Sequence, residues 1–153
     1  MTIYFEDLKI GAEFFGQECI ADKEEMLDYA IKNDPIGIHL DEEAAKHSPF
    51  GSLIASGGYV ITLWYRSCIP IFSRIAFLGA FDWHFKFPVP VRANDKLRCI
   101  IRIDGKRASG KPGRGIVTSS QRVLNQDDRE VISAEIVWMV ATRPSASPLE
   151  TAC

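Results

Sequence analysis

The second half of the chain alternates apolar and polar residues with a period of two. Leu97, Cys99, Ile101 and Ile103 alternate with Arg98 and Arg102, which predicts a strand over 96–103 with one buried and one solvated face. Ile132, Ala134, Ile136, Trp138 and Val140 repeat the pattern and predict a strand over 131–141. Strand candidates at 76–87 and 115–124 complete a run of four. Asn125-Gln126-Asp127-Asp128 is the turn between the last two, and Gly105–Gly113 reads as a looser hairpin loop.

The first half carries one strand and then helical patterns. Residues 1–10 read as an edge segment or turn, and 13–21 as a single strand through Phe14, Phe15, Cys19 and Ile20. Asp22 sits where an N-cap belongs, followed by Glu24 and Glu25 in the first turn. Met26, Leu27, Ala30 and Ile31 give that helix an apolar face, and Asn33-Asp34-Pro35 stops it. Residues 36–39 are predicted to be extended. A short helix over 41–46 follows, with Asp41 at its start, and Ser48-Pro49-Phe50-Gly51 is a turn. A long helix is expected from Ser56 to about Ile69, ended or kinked by Pro70. Val60, Ile61, Leu63, Trp64 and Tyr65 make it apolar on most sides, so something must wrap it.

One strand, then helices, then four strands predicts an α+β domain over 1–143: an antiparallel sheet of about five strands around one long central helix. A sheet with a single helix leaves edges and part of a face uncovered, which predicts a homodimer. Residues 144–153 are polar and interrupted by proline, and are predicted to be a disordered tail.

Composition narrows the function classes. At 153 residues, 46% hydrophobic and 25% charged, the chain has the make-up of an ordinary single globular domain. A net charge of −2 argues against nucleic acid as the main partner. The most membrane-like stretch, 57–77, is interrupted by Arg66, Pro70 and Arg74, so no membrane span is expected. No leader is expected either, because residues 1–7 lack a basic start and no long apolar run follows. These features predict a cytoplasmic protein. Cys19, Cys68, Cys99 and Cys153 show no CxxC spacing, so no metal cage is expected and they read as core or surface thiols.

The candidate chemistry lies between residues 34 and 58. Asp34 and His39 are five residues apart, at most roughly 16 Å if extended, so they meet only if the chain bends. Pro35 and Gly37 supply the means to bend. Buried together, the two side chains could hold one water between an acceptor and a donor-acceptor. The same residues also read as a helix-stop aspartate and a satisfied core histidine, and spacing alone leaves both readings open.

The segments Tyr29-Ala30, Asp34-Pro35-Ile36-Gly37-Ile38-His39, Asp41–Ala45 and Ser48–Gly57 resemble the MaoC-like, or (R)-specific enoyl-CoA hydratase, branch of the hotdog fold. Pro90-Val91-Arg92-Ala93-Asn94-Asp95-Lys96-Leu97 resembles the family's Pro-Val-Arg-x-Gly-Asp-x-Leu connection, with Asn94 in place of Gly. The resemblance runs from about residue 5 to 142. It implies a hotdog dimer acting on acyl thioesters, attached to coenzyme A or acyl carrier protein, with no separate cofactor. Asp34 and His39 match the catalytic pair, and Ser56 and Gly57 match the start of the helix that binds the thioester oxygen. Asn33 and Ile36 depart from the usual Gly and Asn around that pair.

The activity implied is addition or removal of water across the 2,3 double bond, giving an (R)-3-hydroxyacyl thioester. Lys106, Arg107, Lys111 and Arg114 form a basic cluster near a hairpin, a candidate for the coenzyme A phosphates or a solvated loop. His47 and His84 read as surface and strand residues. Two other activities fit the same fold: a hotdog thioesterase and a non-catalytic acyl-thioester-binding dimer. The absence of Asp or Glu from 56–69 counts against the thioesterase.

Overall fold

The computed structural model describes residues 1–144; residues 145–153, nearly all of the predicted tail, lie outside the described residues. The four predicted strands all form, as β3 (Phe77–Lys86), β4 (Lys96–Ala108), β5 (Arg114–Leu124) and β6 (Glu130–Ala141). They join two short strands, β1 (Glu13–Phe15) and β2 (Cys19–Ile20), in one antiparallel sheet of six strands. Its order is β1-β4-β5-β6-β3, with β2 also on β4. The alternation predicted the inner face correctly: Leu97, Cys99, Ile101 and Ile103 are buried, as are Ile132, Ala134, Ile136, Trp138 and Val140.

Across that face lies α4 (Gly57–Phe72). It touches both sides of the sheet. Ser67 meets β4 through the Cys99 N–H, while Trp64 packs on Phe85 of β3 and Phe72 packs on Trp138 of β6. Cys68 and Cys99 meet in the core as free thiols, 3.2 Å apart. The wrapping is incomplete in this chain, since Tyr65 and Ile69 on the helix remain exposed.

Pro70 neither ends the helix at Ile69 nor leaves an orphan carbonyl. A proline removes the N–H that would bond the carbonyl four residues earlier. That carbonyl, on Arg66, accepts instead from Gln17 Nε2 at 3.0 Å.

The same contact explains why the predicted strand over 13–21 is split. Gly16 passes so close to α4 that a Cβ on it would lie 2.5 Å from the Ser67 carbonyl oxygen. Gln17 then turns its backbone to Ser67, donating its N–H to that carbonyl and accepting from the Ser67 hydroxyl. Strand β4 also runs past its predicted end at Ile103. A bulge between Ile103 and Gly105 carries it to Ala108, and the hairpin loop shrinks accordingly.

The segment before α4 holds three short helices in series: α1 (Lys23–Asn33), α2 (Gly37–Leu40) and α3 (Glu42–Lys46). Asp22 caps α1 by accepting from the Glu25 N–H, and Asp41 caps α3 through the Glu43 and Ala44 N–H groups. Glu25 ties α1 to α4: it accepts from the Tyr59 hydroxyl and from Arg66 Nη1 and Nη2. These bonds hold the Glu25 carboxyl below its ordinary pKa, the Arg66 contact contributing most. Helix α1 is thereby fixed beside the N-terminus of α4, and its own C-terminus is placed accordingly.

Candidate active site

Asp34 is the C-cap of α1 and donates its N–H to the Ala30 carbonyl. Its own carbonyl accepts from the Ile36 N–H at 2.8 Å, closing a tight turn around Pro35. The chain then coils rather than extending. Residues 37–40 form α2, which corrects the predicted extended piece. One turn of helix is too short to show a hydrophobic period, so the pattern could not reveal it.

The coil brings His39 back to Asp34. His39 Nε2 stands 3.4 Å from Asp34 Oδ2. The imidazole is buried, whereas a third of the Asp34 side chain remains accessible. The other ring nitrogen, Nδ1, is 2.8 Å from the Ile54 carbonyl oxygen. A carbonyl only accepts, so Nδ1 carries a proton and donates it to Ile54, which leaves Nε2 facing Asp34. At 3.4 Å Nε2 and Asp34 Oδ2 are too far apart for a strong hydrogen bond. The two atoms face each other with room for one water to bridge them.

His39 opens onto a cavity of about 290 Å³ whose walls include Phe50, Gly57, Val60, Phe87 and Val131. Gly57 is the first residue of α4, so the cavity meets that helix's positive end. Ser56 is buried and caps the helix by accepting from the Tyr59 N–H; it supports the cavity rather than lining it. Two cross-links hold the walls. The Ala55 N–H donates to the Val91 carbonyl at 2.8 Å, and the Ile54 N–H to the Ile38 carbonyl at 3.2 Å. Asn94 turns the 88–95 segment with φ +70°, a conformation Asn tolerates in place of Gly.

His39 and Gly57 thus share one cavity, while Asp34 reaches it only through its contact with His39 and Ser56 only as the cap of α4. The basic cluster does not reach it. Lys106 lies ten residues along β4 from Lys96, roughly 33 Å at strand spacing, whereas Val91, just before the other end, lines the cavity. Lys106 Nζ caps the carbonyls of Phe5 and Leu8 at 2.9 and 2.8 Å, closing the 3-10 turn Phe5–Asp7. Arg107 pairs opposite Ile116, Arg114 opposite Ala141, and Lys111 lies in the hairpin turn. His47 and His84 are both exposed, His47 as the C-cap of α3 and His84 on strand β3, in line with the surface and strand positions predicted for them. Sequence reasoning missed Phe87 and Val131 as cavity walls. Phe87 follows a strand, and Val131 looks like any inward strand residue.

The family model for the MaoC like domain matches residues 9–124. This chain belongs to the MaoC-like family. It is 30% identical to a MaoC-like dehydratase from Rhodospirillum rubrum, with a TM-score of 0.84 covering 94% of this chain and 99% of that one. It is 26% identical over 137 residues to the uncharacterized protein YdeM of Bacillus subtilis, covering 88% of this chain and 96% of its relative. The (R)-hydratase PhaJ1 of Pseudomonas aeruginosa shares the fold at 21% identity, with a TM-score of 0.69 covering 99% and 96% of the two chains. The architecture is therefore a hotdog, with six strands where the sequence predicted about five.

The two glycines at the start of α4 have different reasons to be glycine. A Cβ on Gly58 would lie 2.3 Å from the Tyr29 hydroxyl, so Gly58 is fixed by the packing of α1. A Cβ on Gly57 would meet only Phe87, at 3.6 Å, an ordinary contact. Gly57→Ala is therefore expected to leave the melting temperature within about 2 °C of wild type, while Gly58→Ala lowers it by several degrees. In an activity assay Gly57→Ala is expected to be the more damaging, because its methyl group faces the cavity. Melting scans beside kinetics check both halves.

Proposed function

We propose that this protein adds water across, and removes it from, the 2,3 double bond of an enoyl thioester, with an (R)-3-hydroxyacyl thioester as the hydrated form. The observation that carries the reading is one cavity lined both by the His39 imidazole, held through Nδ1, and by Gly57 at the start of a buried helix. Relatives described as a dehydratase and an (R)-hydratase support it.

The thioester oxygen lies at the Gly57 amide, which stabilises the enolate charge that develops there; such a donor is worth about 3 kcal/mol in the barrier. Water sits between Asp34 and His39. As its oxygen bonds to C3, it loses a proton to the pair, and the C2–C3 π electrons move toward the thioester oxygen. The enolate then collapses and C2 takes a proton from the pair. One water is consumed and the pair returns to its starting state, so the chain needs no resident cofactor.

The test is a panel of enoyl-CoAs differing in chain length and branching. Loss of the enoyl absorbance is the expected result. Release of free thiol with the enoyl absorbance intact would instead show a thioesterase, and tight binding without turnover would show a non-catalytic carrier module.

The reading includes a homodimer. Among the described residues, strand β3 pairs with β6 alone and its other edge is open. Leu78, Phe81 and Trp83 on β3 are exposed, as are Tyr65 and Ile69 of α4, and Trp83 packs on Tyr65. A second copy would cover the open edge and this apolar patch together. Burying one such side chain contributes about 1.5–3 kcal/mol, and a two-fold interface counts it twice. Phe81→Glu is therefore expected to weaken the dimer by at least about 100-fold. Light scattering across a dilution series checks this, and an unchanged dimer with Phe81→Glu would place the interface elsewhere.

A further inference from the structure

A second concave surface shares a wall with the His39 cavity. Phe50, Ile54 and Val91 line the cavity, and their neighbours Gly51, Ser52, Leu53 and Arg92 line an open groove of about 410 Å³. Consecutive Cα atoms are about 3.8 Å apart, so the wall is one residue thick along both segments. Phe50 belongs to both sides: its side chain lines the cavity, and its carbonyl accepts from Arg92 Nη2 at 2.8 Å.

The groove has the opposite charge to the chain as a whole. Lys23, Lys46 and Arg92 line it against the single carboxylate of Glu42, in a protein whose net charge is −2. The two lysines are engaged only loosely. Lys23 pairs with Glu42 and Lys46 with Glu43, all four side chains being more than half exposed. Such pairs contribute about 1 kcal/mol at most, so a phosphate can exchange for the carboxylates. Arg92 is different. Ser52 Oγ and the Phe50 carbonyl fix its guanidinium, and Asp95 Oδ2 accepts from its main-chain N–H. These two side-chain contacts use two of the five guanidinium N–H donors. The remaining donors are held in place, with little side-chain entropy left to lose on binding.

We propose that this groove binds a phosphate of the thioester carrier, with Arg92 as the fixed donor and Lys23 and Lys46 closing on the anion. The inference rests on the hydratase reading. It also moves the carrier's anchor away from Lys106, which is occupied in capping carbonyls at the far end of β4. The chemistry recognised is the phosphate itself. Coenzyme A offers it at the pantetheine arm and at the nucleotide, and an acyl carrier protein offers it at the pantetheine arm alone.

The experiment compares wild type, the Lys23→Gln/Lys46→Gln double variant and Glu42→Gln. Each is assayed on one enoyl group carried by coenzyme A, by 4′-phosphopantetheine and by N-acetylcysteamine, which has no phosphate. Binding of free coenzyme A is measured beside these by calorimetry. The double variant is expected to raise KM for the coenzyme A thioester about tenfold at constant kcat, and Glu42→Gln to lower it. The N-acetylcysteamine thioester should respond to neither change. An equal loss with 4′-phosphopantetheine assigns the groove to the arm's phosphate; a loss confined to coenzyme A assigns it to the nucleotide. A KM change that also appears with N-acetylcysteamine, or coenzyme A binding that ignores the double variant, overturns the proposal. If no thioester is turned over yet coenzyme A binding still falls in the double variant, the hydratase reading fails and the groove stands.

Discussion

Asp34→Asn and His39→Gln are each expected to lower kcat for enoyl-thioester hydration by about 10²–10⁴-fold, with KM nearly unchanged. Asn keeps the size of Asp but puts an N–H₂ group within reach of His39 Nε2. That group would take the place of a carboxylate oxygen in the pair. The backbone roles of Asp34, as helix cap and as acceptor for the Ile36 N–H, survive the change. Its melting temperature should therefore stay close to wild type. His39→Gln removes the Nδ1–H bond to the Ile54 carbonyl inside the protein, so it should cost about 1 kcal/mol of stability as well. The double variant is the sharper test. If both residues hold one water, removing the second partner adds little, because the first removal has already disabled the pair. A double variant whose loss equals the product of the two single losses would show that they act independently and would falsify the shared-water mechanism.

How far the site was legible follows from the range over which each signal acts. The strands showed because burial alternates along β4 and β6 within windows of eight to ten residues. Asp34 and His39 showed because the turn that joins them is local and chemical: a helix stop, Pro35 and a glycine. The single turn α2 did not show, since four residues carry no period. The break at Gly16 and the continuation of α4 through Pro70 were hidden for a related reason. Each is decided by the other, through Gln17 and Ser67, across some fifty positions of sequence. The cavity walls Phe87 and Val131 and the groove of Lys23, Lys46 and Arg92 exist only once the sheet has closed. Lys106 is the converse case. A basic cluster is visible in sequence, but nothing local says that its amine will be spent on the carbonyls of residues 5 and 8.

Ser119→Ala is expected to destabilise the protein by roughly 2–5 kcal/mol, although it removes one oxygen atom far from Asp34 in sequence. Ser119 Oγ accepts from Trp138 Nε1 at 3.0 Å and from Gln121 Nε2 at 3.1 Å. Gln121 Oε1 in turn accepts from Trp64 Nε1 at 2.8 Å. The chain of bonds crosses the core from β6 through β5 to α4, and all four residues are buried. Among the described residues, no buried side-chain nitrogen or oxygen lacks a partner. Alanine at 119 would leave two buried donors without one, each costing about 1–3 kcal/mol. For a domain of this size the melting temperature should fall by roughly 10 °C. Ser120→Ala is the control: its neighbour on the opposite face of β5 should change stability by less than about 0.5 kcal/mol. The effect should reach the site as well, because Trp64 packs on Phe85, and Phe85 stacks on the cavity wall Phe87. A Ser119→Ala protein that melted with wild type would mean the polar chain does not bolt helix to sheet, and the rigidity of the cavity would need another source.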